Sequence, residues 1–252
     1  MRALILAAGY ATRLRPLTDS IPKQLLPVGG RPMLDWILDK LRETSAEEIH
    51  LVTNARFAHD FSAWAADKDV RVHDDGTTSN DDRLGAIGDI RFVQEAIGVD
   101  DLLAIAGDNL FDFSLRAFEE FWRARVGSAL AVYDVHDREL ATQYGIVDVD
   151  GDDRVVGFVE KPADPPSTLA ATATYLFTGE HAGRVEEYLG AGNPPDQPGN
   201  FIAWLQTREP VYAYRFDGEW YDIGDHQQLL VADNRLRARA GLPQREAYSP
   251  TQ

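Results

Sequence analysis

The chain alternates short apolar runs with longer stretches in which apolar positions recur every three or four residues. The runs RALILAA, EIHLVTN, LLAIAGDN and SALAVYDV have the length and composition of buried strands. The stretches PMLDWILDKLRE, ARFAHDFSAWAAD and SLRAFEEFWRAR have the periodicity of helices with one apolar face. Because strands that alternate with helices build parallel sheets covered by helices, the first 135 residues predict a mainly parallel α/β sheet.

The pattern changes after about residue 140. In YGIVDVDGDDRVVGFVEKP, two alternating apolar and polar stretches flank an acidic turn at Gly151, which predicts a β-hairpin. A strand (ATATYLF), a helix (EHAGRVEEYL), a loop (NPPDQPG), two strands (VYAYRF and EWYDIGD) that are expected to close the sheet, and a final helix (HQQLLVADNRLRARAG) follow. The tail PQREAYSPTQ is expected to be loosely held.

No repeat, linker or low-complexity tract divides the chain, so we expect one domain over residues 1–240 and a tail over 241–252. The predicted fold class is α/β: a single-domain, three-layer sandwich around a mainly parallel, Rossmann-like sheet.

Composition limits the class of protein. The 252 residues are 44% hydrophobic, enough for a sizeable core, and no apolar run is long enough to span a bilayer, so no membrane association is expected. The chain has no cysteine, which excludes disulfides, thiolate metal sites and thiol nucleophiles and is typical of a cytoplasmic protein. The six histidines follow no metal-binding spacing.

The charge is strongly acidic overall and basic at the start. A formal charge of −16 argues against a nucleic-acid partner, which needs a basic surface. The first 34 residues carry +4 and the remainder −20, because Arg2, Arg13, Arg15, Lys23 and Arg31 face a single acid, Asp19. This local excess favours a small anionic ligand at one loop, with ordinary surface charge as the alternative.

The basic segment AAGYATRLRPLTDSIPKQLLP follows the first strand. Backbone N–H groups after Gly9, the Thr12 hydroxyl and the arginines form a combination that can bind phosphate oxygens. Neither the Walker A spacing nor the dinucleotide-binding glycine fingerprint is present. From the residues alone, a plain strand-to-helix turn with solvated arginines is an equal alternative.

Three further motifs carry charged residues at predicted strand ends. Asp108 ends the strand LLAIAGDN, where ligands of open α/β sheets gather, and it is suited to hold Mg²⁺ beside a phosphate or simply to form a turn. Asp222 lies in EWYDIGD, in which Asp225 is the more natural helix N-cap. Glu160 and Lys161 in VEKP are, taken alone, a surface ion pair.

Taken as a whole, AAGYATRLRPLTDSIPKQLLPVGGRPML resembles the signature of the sugar-1-phosphate nucleotidyltransferases, the group that includes glucose-1-phosphate thymidylyltransferase. The match includes the Thr-Arg-Leu core, the Pro-Leu-Thr step and Pro-Lys with Leu-Leu-Pro after it. One departure is Ala11, where the family has Gly. If this position needs a positive φ angle, alanine is strained there.

The resemblance implies a nucleotidyltransferase that joins a nucleoside triphosphate to a phosphorylated small molecule, a sugar 1-phosphate first of all, and releases pyrophosphate. It implies an Mg²⁺ cofactor, a nucleotide-binding part over about 1–135 and an acceptor-binding part over about 136–240. Members of the family often form homo-oligomers, but no stretch here identifies an interface.

The resemblance also implies roles for individual residues. The nucleotide-binding residues would be Ala8, Gly9, Tyr10, Ala11, Thr12, Arg13, Asn80 and Gly85, and the acceptor-binding residues Gly145, Glu160, Lys161 and Thr172. Asp108 and Asp222 would be the metal ligands, and Arg13, Lys23 and Asp108 the catalytic residues. Since the two aspartates lie far apart in sequence, this requires the fold to bring their strand ends together.

Departures from the family pattern leave the substrates open. The segment 73–98 lacks the family's Gln-Pro, Ala173 replaces a glycine, and Phe201 stands nearest to the position of a family arginine that binds the sugar phosphate. A cytidylyltransferase acting on phosphocholine or another alcohol phosphate is therefore an alternative, as is a catalytically silent nucleotide-binding regulatory module. A metal-dependent glycosyltransferase, suggested by the Asp-x-Asp pairs at 67–69 and 148–150, comes third.

Overall fold

A computed structural model of the protein describes residues 1–250. The strands are β1 (Arg2–Leu6), β2 (Pro27–Val28), β3 (Arg31–Pro32), β4 (Glu48–Thr53), β5 (Val70–Asp74), β6 (Leu102–Ala106), β7 (Asn109–Phe111), β8 (Ser128–Asp134), β9 (Gly145–Val149), β10 (Val155–Glu160), β11 (Leu169–Phe177), β12 (Val211–Arg215) and β13 (Trp220–Asp222). The α-helices are α1 (Met33–Leu41), α2 (Ala58–Ala65), α3 (Ala86–Ile97), α4 (Leu115–Arg123), α5 (Arg138–Ala141), α6 (Gly179–Gly183), α7 (Val185–Gly190), α8 (Pro198–Leu205) and α9 (His226–Arg239). Short 3₁₀ turns cover Thr12–Leu14, Leu17–Asp19 and Lys23–Leu25.

The central sheet is mainly parallel, as the strand and helix pattern predicts. Its order is β10-β9-β11-β6-β1-β4-β5, with β8 paired to β11 and β12 paired to β8. The pairs of β1 with β4 and β6, of β4 with β5 and of β8 with β12 are parallel. Strand β11 is antiparallel to β6, β8 and β9, and β10 is antiparallel to β9. Within residues 1–250, β10 and β11 are therefore the only strands of this sheet that run opposite to the others.

Both faces of the sheet are covered, which makes the molecule a three-layer sandwich. In β1 the side chains alternate: Ala3 and Ile5 pack into a core with α1, α2, α4 and α9, whereas Leu4 packs into a second core with α3, α6, α7 and α8. Among residues 1–250, no helix is long and apolar enough to cross a membrane.

Most predicted elements are confirmed, including the hairpin of β9 and β10 around Gly151. The helix expected over 180–189 is interrupted at Arg184, which separates α6 from α7. Helices α3 and α8 were not predicted, since both follow acidic or Pro-rich loops that mask their start. The signal for α8 is Pro198 in its first turn, the position that suits proline best.

A two-stranded ladder outside the main sheet organises the region beyond β6. Strand β13 was expected to close the main sheet, but it pairs antiparallel with β7 instead, so that Asp222 lies opposite Asn109 and Trp220 opposite Phe111. The backbone N–H of Ile223 donates to the Asp108 carbonyl at 3.3 Å. The chain end of β13 is thereby fixed beside the chain end of β6.

The described part of the tail is docked, contrary to the expectation of a loosely held segment. Arg245 and Asn234 of α9 exchange two hydrogen bonds of 2.7 and 2.8 Å, and the Tyr248 hydroxyl donates to the Pro27 carbonyl at 2.8 Å. Arg245 also faces the fully buried Asp233 carboxylate at 3.6 Å. Composition did not reveal this, because the contacts join the tail to residues far back in the chain.

Replacement of Arg245 by methionine tests this docking. Removing one partner of a buried ion pair leaves Asp233 uncompensated, so we expect Arg245→Met to lower the free energy of unfolding by about 2–4 kcal/mol, measured by urea denaturation. Arg71→Met, which breaks an exposed ion pair with Glu48 at 2.9 Å, is the control and should cost less than about 1 kcal/mol. Equal, small losses in both variants would contradict a docked tail.

Candidate functional site

The loop after β1 presents unused backbone donors. The carbonyls of Ala8 and Ala11 accept hydrogen bonds of 2.9 Å from Asn54 and Thr18, which fixes the direction of the loop. No hydrogen bond within residues 1–250 uses the backbone N–H groups of residues 9–13. Gly9 is exposed, and a Cβ there would meet nothing within 4 Å. The loop is therefore open to a ligand with acceptor oxygens.

Ala11 adopts the left-handed conformation, with φ 45° and ψ 44°. This conformation places Cβ close to the following carbonyl and costs an L-residue roughly 1–2 kcal/mol. The conditional expectation from the sequence is met, since the position does need a positive φ and alanine is strained there. Ala173 in β11 shares this feature, with φ 51°, where the strand register shifts between Ala171 and Tyr175.

Asp108 and Asp222, the two predicted metal ligands, lie together at the carboxyl end of the parallel strands. Asp108 follows β6 directly, and the β7–β13 ladder brings Asp222 beside it. Burial and the charge of Asp108 raise the pKa of Asp222 to about 6. Within residues 1–250 no cluster of three or more potential ligands from His, Cys, Asp and Glu is found, so the pair offers a cation two carboxylates and leaves other positions free.

Lys23 is the buried counter-ion of this pair. It begins a short 3₁₀ turn after Pro22, its side chain is 7% exposed, and its Nζ lies 2.8 Å from Asp108 Oδ2. Burial opposes ionisation of Asp108, but the Lys23 ammonium and a hydrogen bond from the Asn109 amide hold its pKa below the usual range. The buried carboxylate is thus kept charged.

Two more predicted cations act electrostatically on Asp222. The positive charges of Lys23, Lys161 and Arg13 lower the pKa of Asp222 and so partly offset its rise. The Arg13 guanidinium lies beside Gly224, where a Cβ would stand 3.8 Å from Nη1. Lys161 is exposed and has a positive φ of 46°, and its N–H donates to the Tyr144 carbonyl at 3.0 Å. A non-glycine residue held in this conformation is typical of a functional site.

A cleft of about 210 Å³ opens beside the carboxylates. Three of the four predicted acceptor-binding residues line it: Gly145, Glu160 and Lys161. Burial raises the pKa of Glu160, and the charge of Lys161 partly offsets this effect. Gly145 is required for space, because a Cβ there would stand 2.5 Å from the Phe158 ring and 2.8 Å from Glu160 Oε2.

Thr172, the fourth predicted acceptor residue, does not reach the cleft. Its side chain is fully buried and its hydroxyl donates to the Ala131 carbonyl at 3.0 Å. Ala171 and Ala173 line the cleft instead. Ala171, Ala173 and Tyr175 alternate on the cleft side of β11, so Thr172 points to the opposite face of the strand and the resemblance placed the threonine one residue out of phase.

The segment expected to contact the base lies next to the opening loop. The hydroxyls of Tyr10 and Thr77 are 3.2 Å apart and join the two segments. Asn80 is exposed, and Gly85 is buried at the start of α3 with φ 79°, a conformation that favours glycine. Contact of Asn80 and Gly85 with a base stays a prediction.

Residues that the sequence reasoning missed complete the site. Gln24 is buried beside Gly107, and its Oε1 has no hydrogen-bond partner among residues 1–250. Asn109 accepts a 2.6 Å hydrogen bond from the Trp220 indole while donating to Asp108. Their signal was their position directly after Lys23 and Asp108, since neighbours of such residues share the same turn.

A larger groove, of about 840 Å³, lies elsewhere. It is open and is lined by the starts of β4 and β5 and the end of α2, at the amino ends of the strands. Ligands of open α/β sheets bind at the carboxyl ends. Its basic residues Arg71 and Lys68 are already paired with carboxylates at 2.9 and 2.8 Å, so we place the site in the smaller cleft.

A buried pair of carboxyl groups supports the base-side segment. Asp75 accepts two hydrogen bonds of 2.7 Å from Thr77 and is in contact with Asp89, whose side chain is 5% exposed. Burial, followed by the charge of Asp75, raises the pKa of Asp89 to about 8. At neutral pH Asp89 is therefore mostly protonated.

Replacement of Ala11 by glycine tests the strain in the opening loop. Relief of about 1–2 kcal/mol, less the 0.4–1 kcal/mol by which glycine stabilises the unfolded chain, gives an expected gain of about 0.5–1 kcal/mol. Ala63→Gly on the exposed face of α2 is the control and should lose about 0.5–1 kcal/mol. Denaturant titration measures both values, and a loss in Ala11→Gly would contradict the strained backbone.

Asp89→Asn tests the buried carboxyl pair. Between pH 4 and 8 the folded protein keeps a proton that the unfolded chain releases, so wild-type stability falls as pH rises through this range. The variant lacks this dependence, and we expect it to be more stable than wild type at pH 8, by on the order of 3 kcal/mol. Unfolding titrations at pH 5 and pH 8 give the difference, and parallel pH profiles would contradict the assignment.

Comparisons with known proteins find relatives that are nucleotidyltransferases. The chain is 30% identical to a UTP–glucose-1-phosphate uridylyltransferase of Synechocystis sp., over 89% of the chain and 60% of the relative. It is 25% identical to the low-salt glycan biosynthesis nucleotidyltransferase Agl11 of Haloferax volcanii, over 99% of the chain and 70% of that relative. The chain thus spans about 60–70% of the length of these relatives.

Solved structures share the fold. A UDP-glucose pyrophosphorylase of Acinetobacter baumannii superimposes with a TM-score of 0.76 at 23% identity, over 95% of the chain and 96% of that structure. A UDP-glucose pyrophosphorylase complexed with UDP-glucose gives a TM-score of 0.79 at 22% identity, over 94% and 98%. The profile of the Nucleotidyl transferase family matches residues 2–239, and the chain belongs to this family.

Proposed function

We propose that the protein is a sugar-1-phosphate nucleotidyltransferase that joins a nucleoside triphosphate to a sugar 1-phosphate and releases pyrophosphate. The observation that carries the proposal is the close pair of Asp108 and Asp222, with Lys23 bonded to Asp108 at 2.8 Å and the charges of Lys23, Lys161 and Arg13 acting on Asp222. In the transfer of a nucleotidyl group, both the attacking phosphate and the leaving pyrophosphate are negatively charged. Fixed cations can neutralise this charge, and carboxylates can hold a metal ion beside it. The similarity to a uridylyltransferase that acts on glucose 1-phosphate supports the same reaction class.

The nucleotide would bind across the opening loop. Its β- and γ-phosphates would accept hydrogen bonds from the free N–H groups of residues 9–13, and Arg13 would hold the departing pyrophosphate with its planar fork. Lys23 is buried and positioned by Asp108, so it would neutralise charge near the α-phosphate without a change of conformation.

The donor set fits Mg²⁺. Two hard carboxylate oxygens at one strand end, with the rest of the coordination sphere left to phosphate and water, are what this ion prefers. Burial and the charge of Asp108 raise the pKa of Asp222, and a bound cation would relieve the repulsion between the two carboxylates. Asp108 and Asp222 would hold the ion, which would supply positive charge to stabilise the transition state.

The acceptor would lie in the cleft of about 210 Å³, with its phosphate at Lys161 and its hydroxyls at Glu160. Its phosphate oxygen would attack the α-phosphorus in line with the leaving pyrophosphate: one P–O bond forms as another breaks. Since a phosphate is already ionised at neutral pH, the reaction needs no general base. The chain's residues then contribute position and charge.

A phosphocholine acceptor has weaker support. It needs aromatic faces around a quaternary ammonium group. Four aromatic side chains line the cleft: Tyr144, Phe158, Tyr175 and Trp220. The rings of Tyr144 and Trp220 pack against each other with centroids 5.0 Å apart, which leaves no room for that group between these two. The Gly145 backbone, Glu160 and the amides of Gln143 and Gln197 in the same cleft are suited to sugar hydroxyls.

Pyrophosphate release is the direct test of the proposal. We would measure it with Mg²⁺ for dTTP, UTP, CTP, GTP and ATP, each against glucose 1-phosphate and phosphocholine. We expect release with glucose 1-phosphate that is lost in Asp108→Asn and kept in Asp152→Asn, a control in the exposed β9–β10 turn. Release with phosphocholine alone would favour the cytidylyltransferase, and nucleotide binding without any release would favour the silent module.

Arg13→Lys tests the role of the guanidinium. The lysine keeps the charge but loses the planar fork, so we expect kcat to fall by about 10²-fold with a smaller effect on binding of the acceptor. Arg15→Lys is the control, because this exposed neighbour is paired with Asp19 at 3.4 Å, and its kcat should stay within about twofold of wild type. Equal kcat in both variants would contradict the role of Arg13.

A further inference from the structure

One short segment contacts both halves of the proposed site. Residues 195–199, the bridging segment, connect the loop after α7 to the first turn of α8. The segment lies against the start of α3 on one side. On the other side, its residues 196–199 line the acceptor cleft together with Glu160 and Lys161.

The nucleotide side is held by backbone contacts. No side chain caps α3, and its first N–H groups donate to the bridging segment instead: Ile87 to the Pro195 carbonyl at 2.8 Å and Ala86 to the Asp196 carbonyl at 3.4 Å. Gly85 fits closely, since a Cβ there would stand 2.7 Å from Pro195 O and 2.8 Å from the Asp196 Cα. A displacement of the segment would therefore disturb Gly85.

Arg83 adds a directed contact from side chain to side chain. Its guanidinium makes a bidentate pair with Asp196, at 3.1 Å from Nε and 2.8 Å from Nη2, and its Nη1 donates to the Asn80 carbonyl at 2.9 Å. Arg83 thus ties the predicted base-contacting residue to the bridging segment. The side chains of Arg83 and Asp196 are 39% and 46% exposed, so the ion pair contributes little to the free energy of unfolding. Its effect is to fix the position of the bridging segment relative to Asn80.

The acceptor side is held by close packing. Gly199 has no space for a side chain, because a Cβ there would stand 2.3 Å from the Phe158 ring and 3.1 Å from Glu160 Oε2. The carboxylate expected to bind acceptor hydroxyls therefore rests against the end of the bridging segment. Movement of this segment would change the position of Glu160.

We infer that the bridging segment couples the two half-sites, with Arg83 and Asp196 as positioning residues. A nucleotide bound against Gly85 would fix residues 195–199 and so hold the acceptor cleft in its binding shape. By thermodynamic linkage, the acceptor would strengthen nucleotide binding by the same factor. This inference rests on the proposed function, but the contacts themselves can be tested without substrate.

Hydrogen–deuterium exchange of the unliganded protein tests the contacts. We expect Arg83→Met to speed exchange at Asn200, whose N–H donates to the Gln197 carbonyl at 3.0 Å, and Asp196→Ala to speed exchange at residues 80–87, each by about threefold or more. Arg91→Met is the matched control: it breaks a 2.7 Å ion pair between α3 and Glu186 that does not involve the bridging segment. If each variant changes exchange only at its own segment, or if the control gives the same pattern, the coupling is disproved.

Steady-state kinetics test the positioning role, with the substrate pair that gives the fastest pyrophosphate release in wild type. We expect Arg83→Met and Asp196→Ala each to raise the acceptor KM about fivefold with kcat nearly unchanged, and the double variant to be no worse than either single one. Additive effects on KM, or a fall in kcat alone, would overturn the inference. Absence of release in wild type would count against the proposed function, and the exchange measurements would still decide the coupling.

Discussion

The site depends on the close placement of two aspartates that repel each other. Asp108 is fixed by the end of β6, and Asp222 is brought beside it by the pairing of β13 with β7. Burial and the charge of Asp108 raise the pKa of Asp222, and the buried Lys23 ammonium, 2.8 Å from Asp108, partly offsets the negative charge of the pair. Removing several charges from water costs free energy unless each charge is paired. A bound cation would pair with the two carboxylates, and bound phosphates would pair with the nearby lysines and arginine.

The positive charges around this pair come from three places in the chain. Arg13 lies in the first 3₁₀ turn after β1, Lys23 begins the third, and Lys161 directly follows β10. The chain has a formal charge of −16, so these three cations form an unusual local excess of positive charge. This excess would attract a small polyanion to the place where the reaction would occur. Ala11 and Lys161 both have a left-handed backbone conformation. Backbone strain is thus present close to Arg13 and at Lys161 itself, as is typical of functional sites.

Much of this architecture follows from the sequence. The alternation of strands and helices predicts the sheet, and the resemblance to the nucleotidyltransferases predicts that Asp108 and Asp222 meet. What could not be predicted depends on contacts between distant segments. Thr172 lies on the face of β11 opposite the cleft, because Ala171, Ala173 and Tyr175 take the cleft side, and α8 begins behind a Pro-rich loop. The tail is held through the buried Arg245, whose partner lies in α9. A one-dimensional pattern gives the period of an element but not which of its two faces meets the site, nor which surface a loop covers.

The central claim is that one cation is shared by Asp108 and Asp222, and Mn²⁺ binding tests it most directly. We would titrate Mn²⁺ in the presence of UTP and count bound ions by electron paramagnetic resonance in wild type, Asp108→Asn and Asp222→Asn. A shared site predicts that the tightest binding event is lost in both variants to a similar extent, since each removes one of two carboxylate ligands. Tight Mn²⁺ binding that is unchanged in Asp222→Asn would contradict the shared site and would leave Asp222 with only a structural role.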